Sequence, residues 1–104
     1  MQRKILLIAP DIPSLPRLRT DAEVSTIQRN HDTRLLSGVV RSEDVTAAIT
    51  EDDYQIIWVI SHGEAGGVCL TNEMLSIEAL IQYAKSATVE LVVFNTCESE
   101  PLAL

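Results

Sequence analysis

The sequence lacks any long apolar run. Its longest, such as Ile56–Ile60, hold only five or six residues, far below the ~20 that a membrane-spanning helix needs. No membrane partner is therefore expected. Basic residues are few: eight Lys and Arg stand against fifteen Asp and Glu, a net charge of −7. That balance argues against a nucleic-acid partner. Cysteine is scarce, with only Cys69 and Cys97 present. A secretory leader is not expected either, because Pro10, Asp11 and Pro13 cut short the apolar stretch that follows Arg3 and Lys4. Two cysteines without such a leader point to reduced thiols in a cytoplasmic setting. On count alone they could pair, but one reads as lying on a connection and the other at a strand end. Glycine is missing from the stretch Pro10 to Pro16, so no phosphate-cradling loop follows the first apolar run. No cofactor is expected. Nor is a metal, since His62, Cys69 and Cys97 include no closely spaced ligand pair. Internal repeats, low-complexity segments and linkers are all lacking.

What is present is the material of one small α/β domain spanning residues 1–104. Apolar residues make up 46% of the chain, which suits a packed core and excludes disorder. The length is at the small end for a sheet covered on both faces. Lys4 to Ala9 reads as a buried strand. Pro10 to Arg19 holds three prolines and reads as a loop. Thr20 or Asp21 can cap a helix to about Asn30, with Val24, Ile27 and Gln28 inward. Thr33 to Val40 reads as a more polar strand at an edge. Ser42 is expected to cap a helix to about Thr50, with Val45, Ala48 and Ile49 on its core face. Ile56 to Ile60 reads as a strand buried on both faces. Gly63 to Gly67 reads as a mobile loop, and Val68 to Thr71 as a short strand or hairpin arm. Ser76 caps a helix through Ala87, with Ile77, Leu80, Ile81 and Ala84 at helical spacing. Val89 to Phe94 reads as the fourth strand. Strands alternating with helices imply a parallel sheet with right-handed crossovers.

Two strand ends carry the chemistry. Ile56–Ile60 runs into Ser61-His62-Gly63, and Val89–Phe94 runs into Asn95-Thr96-Cys97-Glu98-Ser99. Open α/β sheets bind ligands beyond the carboxyl ends of their strands. Thirty-five positions separate His62 from Cys97, enough for one helix and one strand between parallel neighbours. A thiol and an imidazole at one edge form a nucleophile and its base. Gly63, which lets a substrate approach the backbone closely, and the N–H of Cys97 can hold an oxyanion. The plain alternative is a histidine that merely ends a strand and a cysteine that is a small core residue.

These words, in this order, resemble those of caspase-like cysteine peptidases of the CHAT type. There an S-H-G word carries the catalytic histidine, and an N-x-C-x-S word carries the catalytic cysteine. The resemblance extends from Lys4 to Leu104. It implies a caspase-like, doubly wound, mostly parallel four-stranded sheet with helices on both faces. It implies an endopeptidase with His62 as base, Cys97 as nucleophile and the Gly63 and Cys97 amides as oxyanion donors. The substrate would be a protein or peptide, and the setting regulated proteolysis in bacterial defence or cell-death signalling. Arg19, before Thr20-Asp21, is similar to the family's substrate-reading arginine; Arg17 and Arg19 otherwise read as solvated loop residues. Asn95 lines the pocket for the residue before the scissile bond, or bonds nearby backbone. Asp11 touches a basic substrate side chain, or caps a turn. Glu64 and Glu98 flank the pair and otherwise read as solvated. Cys69 reads as core and His31 as a surface loop residue.

The family's domain continues past the cysteine with another helix and further strands. The expectation is thus a chain truncated after the Cys97 strand, its sheet completed by a second chain or copy. Two alternatives to the peptidase remain. One is a non-catalytic module that associates through an open sheet edge. The other is a flavodoxin-like or receiver-like domain. A receiver needs clustered acids after the first strand, where only Asp11 stands.

Overall fold

A computed structural model of the chain describes residues 3–11, 21–64, 66–71 and 73–96. Its centre is a four-stranded sheet built from β1 (Lys4–Pro10), β2 (Asp32–Gly38), β3 (Ile56–Ser61) and β7 (Leu91–Thr96). The order is β2-β1-β3-β7 and every pairing is parallel. The protein is therefore an α/β fold on a parallel sheet. β1 and β3 are interior, which is why both read as unbroken apolar runs. Among the described strands β2 lies at one edge, with Asp32 and Ser37 exposed and Thr33 and Arg34 half-exposed.

Alternation along β1 and β3 divides the core into two layers. Ile5, Leu7 and Ile60 point to the face covered by helix α1 (Asp21–Asn30), where Ile27 is buried and Val24 packs beside it. Leu6, Ile8, Ile57 and Val59 point to the opposite face. There they meet Val45, Ala48 and Ile49 of α2 (Ser42–Glu51) and Leu80 and Ala84 of α3 (Ile77–Lys85). The step from β1 to β2 moves one way across the sheet, while the steps to β3 and β7 move the other way. Keeping one handedness then requires α1 on one face and α2 and α3 on the other, as observed. Gln28, expected inward, is exposed; it lies one position past Ile27, a rotation of ~100° around the helix.

Three elements differ from the sequence expectation. Gly63 to Gly67 is not simply a loop. Gly63–Glu64 (β4) pairs antiparallel with Gly67–Leu70 (β5), which pairs in turn with Glu73–Ser76 (β6). Gly66, at φ 78°, makes the turn between the first two. This small sheet packs on the α2–α3 face, where Val68, Leu70 and Leu75 join the larger core layer. Second, α2 is not capped by Ser42. Arg41 holds the cap position, and its N–H donates to the Asp44 carboxylate at 2.9 Å. The Ser42 N–H instead donates to the Glu73 carboxylate. Third, β2 ends at Gly38, where φ is 74° and the backbone leaves extended geometry. Ser76 does cap α3, its Oγ accepting from the Ala79 N–H at 3.2 Å. No helix of the described residues is long and apolar enough to cross a membrane.

Candidate active site

The direction of the strand order reverses between β1 and β3. In an open α/β sheet this switch point, at the carboxyl ends of the strands, is where a crevice forms. Pro10-Asp11 leaves the sheet on one side of it, and Ser61-His62 on the other. β7 completes the edge: the β3–β7 ladder closes with Ile60↔Asn95 and Ser61↔Thr96. The last rung thus joins Ser61 of the first word to Thr96 of the second.

His62 is the single residue between β3 and β4, and it is only 6% exposed. β5 lies against the end of β3 there. The Cys69 N–H donates to the His62 carbonyl at 2.8 Å. The Ser61 Oγ, fully buried, donates to the Cys69 carbonyl at 2.6 Å. Two short bonds in opposite senses clamp the hairpin onto the strand end and fix the backbone that carries the imidazole. Cys69, expected in the core, is buried there. Gly63 pairs with Val68 and is half-buried.

A second clamp holds the other side of the switch point. Thr71, just past β5, is 3% exposed. Its Oγ1 accepts from the Val40 N–H at 3.1 Å and donates to the Asp11 carbonyl at 2.7 Å, with the Gly38 carbonyl at 3.2 Å. Its own N–H donates to the Val40 carbonyl at 2.9 Å. The Asp11 N–H donates to the Gly38 carbonyl at 2.8 Å. One hydroxyl therefore ties the hairpin to the chain leaving both β1 and β2. Sequence reasoning missed Thr71, because its partners are backbone groups distant in the chain. Asp11 itself is exposed, and both of these bonds are to its backbone.

Asn95 is half-buried and points to the α1 face, on the same side as Ile60. Its Nδ2 donates to both oxygens of Glu23, at 2.9 and 2.6 Å. Glu23 lies in the first turn of α1, where the positive end of the helix favours a carboxylate. It was not singled out from the sequence, since nothing local links positions 23 and 95. His31 is exposed after α1, as expected for a surface residue. Cys97, Glu98, Arg17 and Arg19 lie outside the described residues.

No family model matches the sequence, and no curated protein matches it. What the fold defines is a class: a parallel α/β sheet whose strand order reverses between β1 and β3.

Proposed function

We propose that the chain is a caspase-like cysteine peptidase acting on proteins or peptides in a reducing, cytoplasmic compartment. The observation that supports this reading is the parallel β3–β7 ladder, because its last rung, Ser61↔Thr96, immediately precedes His62 on one strand and Cys97 on the other. In the proposed reaction the His62 imidazole takes the Cys97 thiol proton. The thiolate attacks the scissile carbonyl, and the N–H groups of Gly63 and Cys97 hold the oxyanion. The C–N bond then breaks. The imidazolium protonates the leaving amine, and a thioester remains on Cys97. His62 next takes a proton from water, whose oxygen displaces the thiolate and releases a carboxylic acid. The buried setting of His62 keeps bulk water from competing for its hydrogen bonds.

A second reading is favoured by the same burial together with the sheet edge. Among the described residues β7 is an edge strand, and its Leu91 is 52% exposed. A non-catalytic module would use that edge for association with another chain or copy and would have no need of a reactive thiol.

Alkylation distinguishes the two. Iodoacetamide near neutral pH, read by peptide mass, labels Cys97 much faster than the buried Cys69 if the dyad exists, and His62→Ala abolishes that advantage. Slow labelling at Cys97, unchanged by His62→Ala, would refute the peptidase. Sedimentation showing a dimer that Leu91→Lys dissociates would then support the module.

A further inference from the structure

His62 stands at a joint. Ser61 before it belongs to the large sheet, and Gly63 after it belongs to the small one, where it pairs with Val68. Any tilt of one sheet against the other must be taken up in the backbone of the single residue between them. The φ and ψ of that residue also set the direction of its side chain. The imidazole therefore turns with the small sheet.

One short strand, β5, ties the small sheet to both sides of the switch point. At Cys69 it holds the end of β3, through the Ser61 Oγ–Cys69 carbonyl bond at 2.6 Å and the Cys69 N–H–His62 carbonyl bond at 2.8 Å. Two residues further on, Thr71 holds the chain that leaves β1 and β2, through the Asp11 carbonyl at 2.7 Å and the Val40 N–H at 3.1 Å. Extended backbone puts these anchors ~7 Å apart. Only Leu70 lies between them, 1% exposed and packed in the larger core. Gly66, the positive-φ glycine of the hairpin, lies on the far side of Cys69. A displacement at Thr71 thus meets no hinge before it reaches Cys69. The apolar packing of Val68 and Leu70 holds β5 against the sheet, but such packing is non-directional. The hydrogen bonds at the two anchors are what fix the strand's position and tilt.

We infer that Thr71 is a positioning residue for His62. Through β5 it sets the angle between the two sheets and so the direction of the imidazole, which makes His62 responsive to the chain leaving β1 and β2. This rests on the peptidase reading for the role of His62, and it names how the base of that site is controlled. Little travel is needed, because a misplacement of ~1 Å in a catalytic group can change a rate by ~100-fold.

The test reads the ring of His62 by NMR in protein carrying isotope-labelled histidine. The chain has two histidines, and His31, exposed just before β2 at the opposite end of the sheet, is the internal control. Thr71→Val removes the hydroxyl and keeps the shape, whereas Thr71→Ser keeps the hydroxyl. Thr71→Val moves the His62 ring signals by more than a linewidth and leaves those of His31 in place; Thr71→Ser leaves both in place. A role confined to stability would lower the unfolding midpoint of Thr71→Val without moving the His62 signals of the folded protein, and that result overturns the inference. An equal shift in Thr71→Ser also overturns it, by assigning the effect to the methyl group. Hydrogen exchange in the unaltered protein supplies a measurement that needs no variant. The Cys69 N–H, on the His62 carbonyl, and the Thr71 N–H, on the Val40 carbonyl, open together, with opening constants that agree within about threefold. A Cys69 amide that opens roughly tenfold or more easily than that of Thr71 shows the two anchors moving separately and overturns the inference, even where Thr71→Val does not fold. None of these readings involves Cys97. Slow alkylation of Cys97 that ignores His62→Ala removes the peptidase reading and leaves the coupling of Thr71 to His62 standing.

Discussion

Replacing Thr71 by valine keeps the shape of the side chain and removes its hydroxyl. The buried Val40 N–H then loses its acceptor at 3.1 Å. An unpaired buried donor costs ~1–3 kcal/mol. The Asp11 carbonyl also loses its 2.7 Å donor, but Asp11 is exposed and water can replace most of that ~1 kcal/mol. The Gly38 carbonyl keeps the Asp11 N–H. The expected loss is thus about 2–3 kcal/mol, which for a domain of this size lowers Tm by roughly 10–15 °C. Thr71→Ser is the control. It keeps every hydrogen bond and loses one methyl group, ~0.8 kcal/mol. Hydrophobic burial alone predicts the opposite order, because valine retains the methyl that serine lacks. Urea unfolding followed by the fluorescence of Trp58, the single tryptophan in the chain, ranks the two variants. A Thr71→Val protein as stable as Thr71→Ser, or more stable, would refute the account of Thr71 as a clamp.

Two further outcomes follow from the geometry away from the strand ends. A Cβ on Gly67 would lie 2.9 Å from Met74 Cγ and Sδ and 3.1 Å from the Leu75 carbonyl; Met74 is exposed enough to swing aside, but the ladder carbonyl is not, so Gly67→Ala should cost ~1 kcal/mol and speed amide exchange in β5 and β6 more than in β1 and β3. At the opposite end of the sheet, the Lys4 ammonium and then the Asp53 N–H hold the Asp52 carboxyl below its ordinary 3.8, and the hydrogen bond to Asp52 raises Lys4 above 10.5. The pair's contribution is therefore fully present above the unfolded carboxyl's value and below the unfolded ammonium's. It fades as pH falls through the folded value of Asp52 or rises through that of Lys4. The difference in urea midpoint between the unaltered protein and Asp52→Asn should be small and flat from about pH 5 to 9, shrink toward pH 2, and diminish in 0.5 M salt because both groups are well exposed. A difference that grows as the solution is acidified would contradict the pairing.

The large sheet was legible because its signal is local. Ile56–Ile60 and Ile5–Ala9 are apolar at every position, and only a strand buried on both faces demands that. Val45, Ala48 and Ile49 likewise sit at helical spacing, and all three are buried. Of the small sheet only β5 was legible, as the short strand or hairpin arm expected over Val68–Thr71. β4 has two residues and β6 only four, of which Leu75 alone is buried. Segments that short carry no usable period, and the glycines at 63, 66 and 67 made that stretch read as a mobile loop. The cap of α2 was misread for a similar reason. Ser42 has the right chemistry, but Asp44 already satisfies the Arg41 N–H, which starts the helix one residue earlier. At the candidate site, the words around His62 and Cys97 could be read in order. The bonds of Glu23 to Asn95 and of Thr71 to Asp11 could not, because they join positions 72 and 60 residues apart and only the folded sheet brings them together.

The strand order β2-β1-β3-β7 also bears on how the molecule is made. Of these four strands the first to be made, β1, is an inner one, and each later one adds at an outside position: first on one flank, then on the other, then beyond that. None of the four has to be wedged between two that are already joined. Assembly can keep pace with synthesis, each new segment docking onto a rim that waits for it, and a chain interrupted partway would leave a smaller version of the same layer.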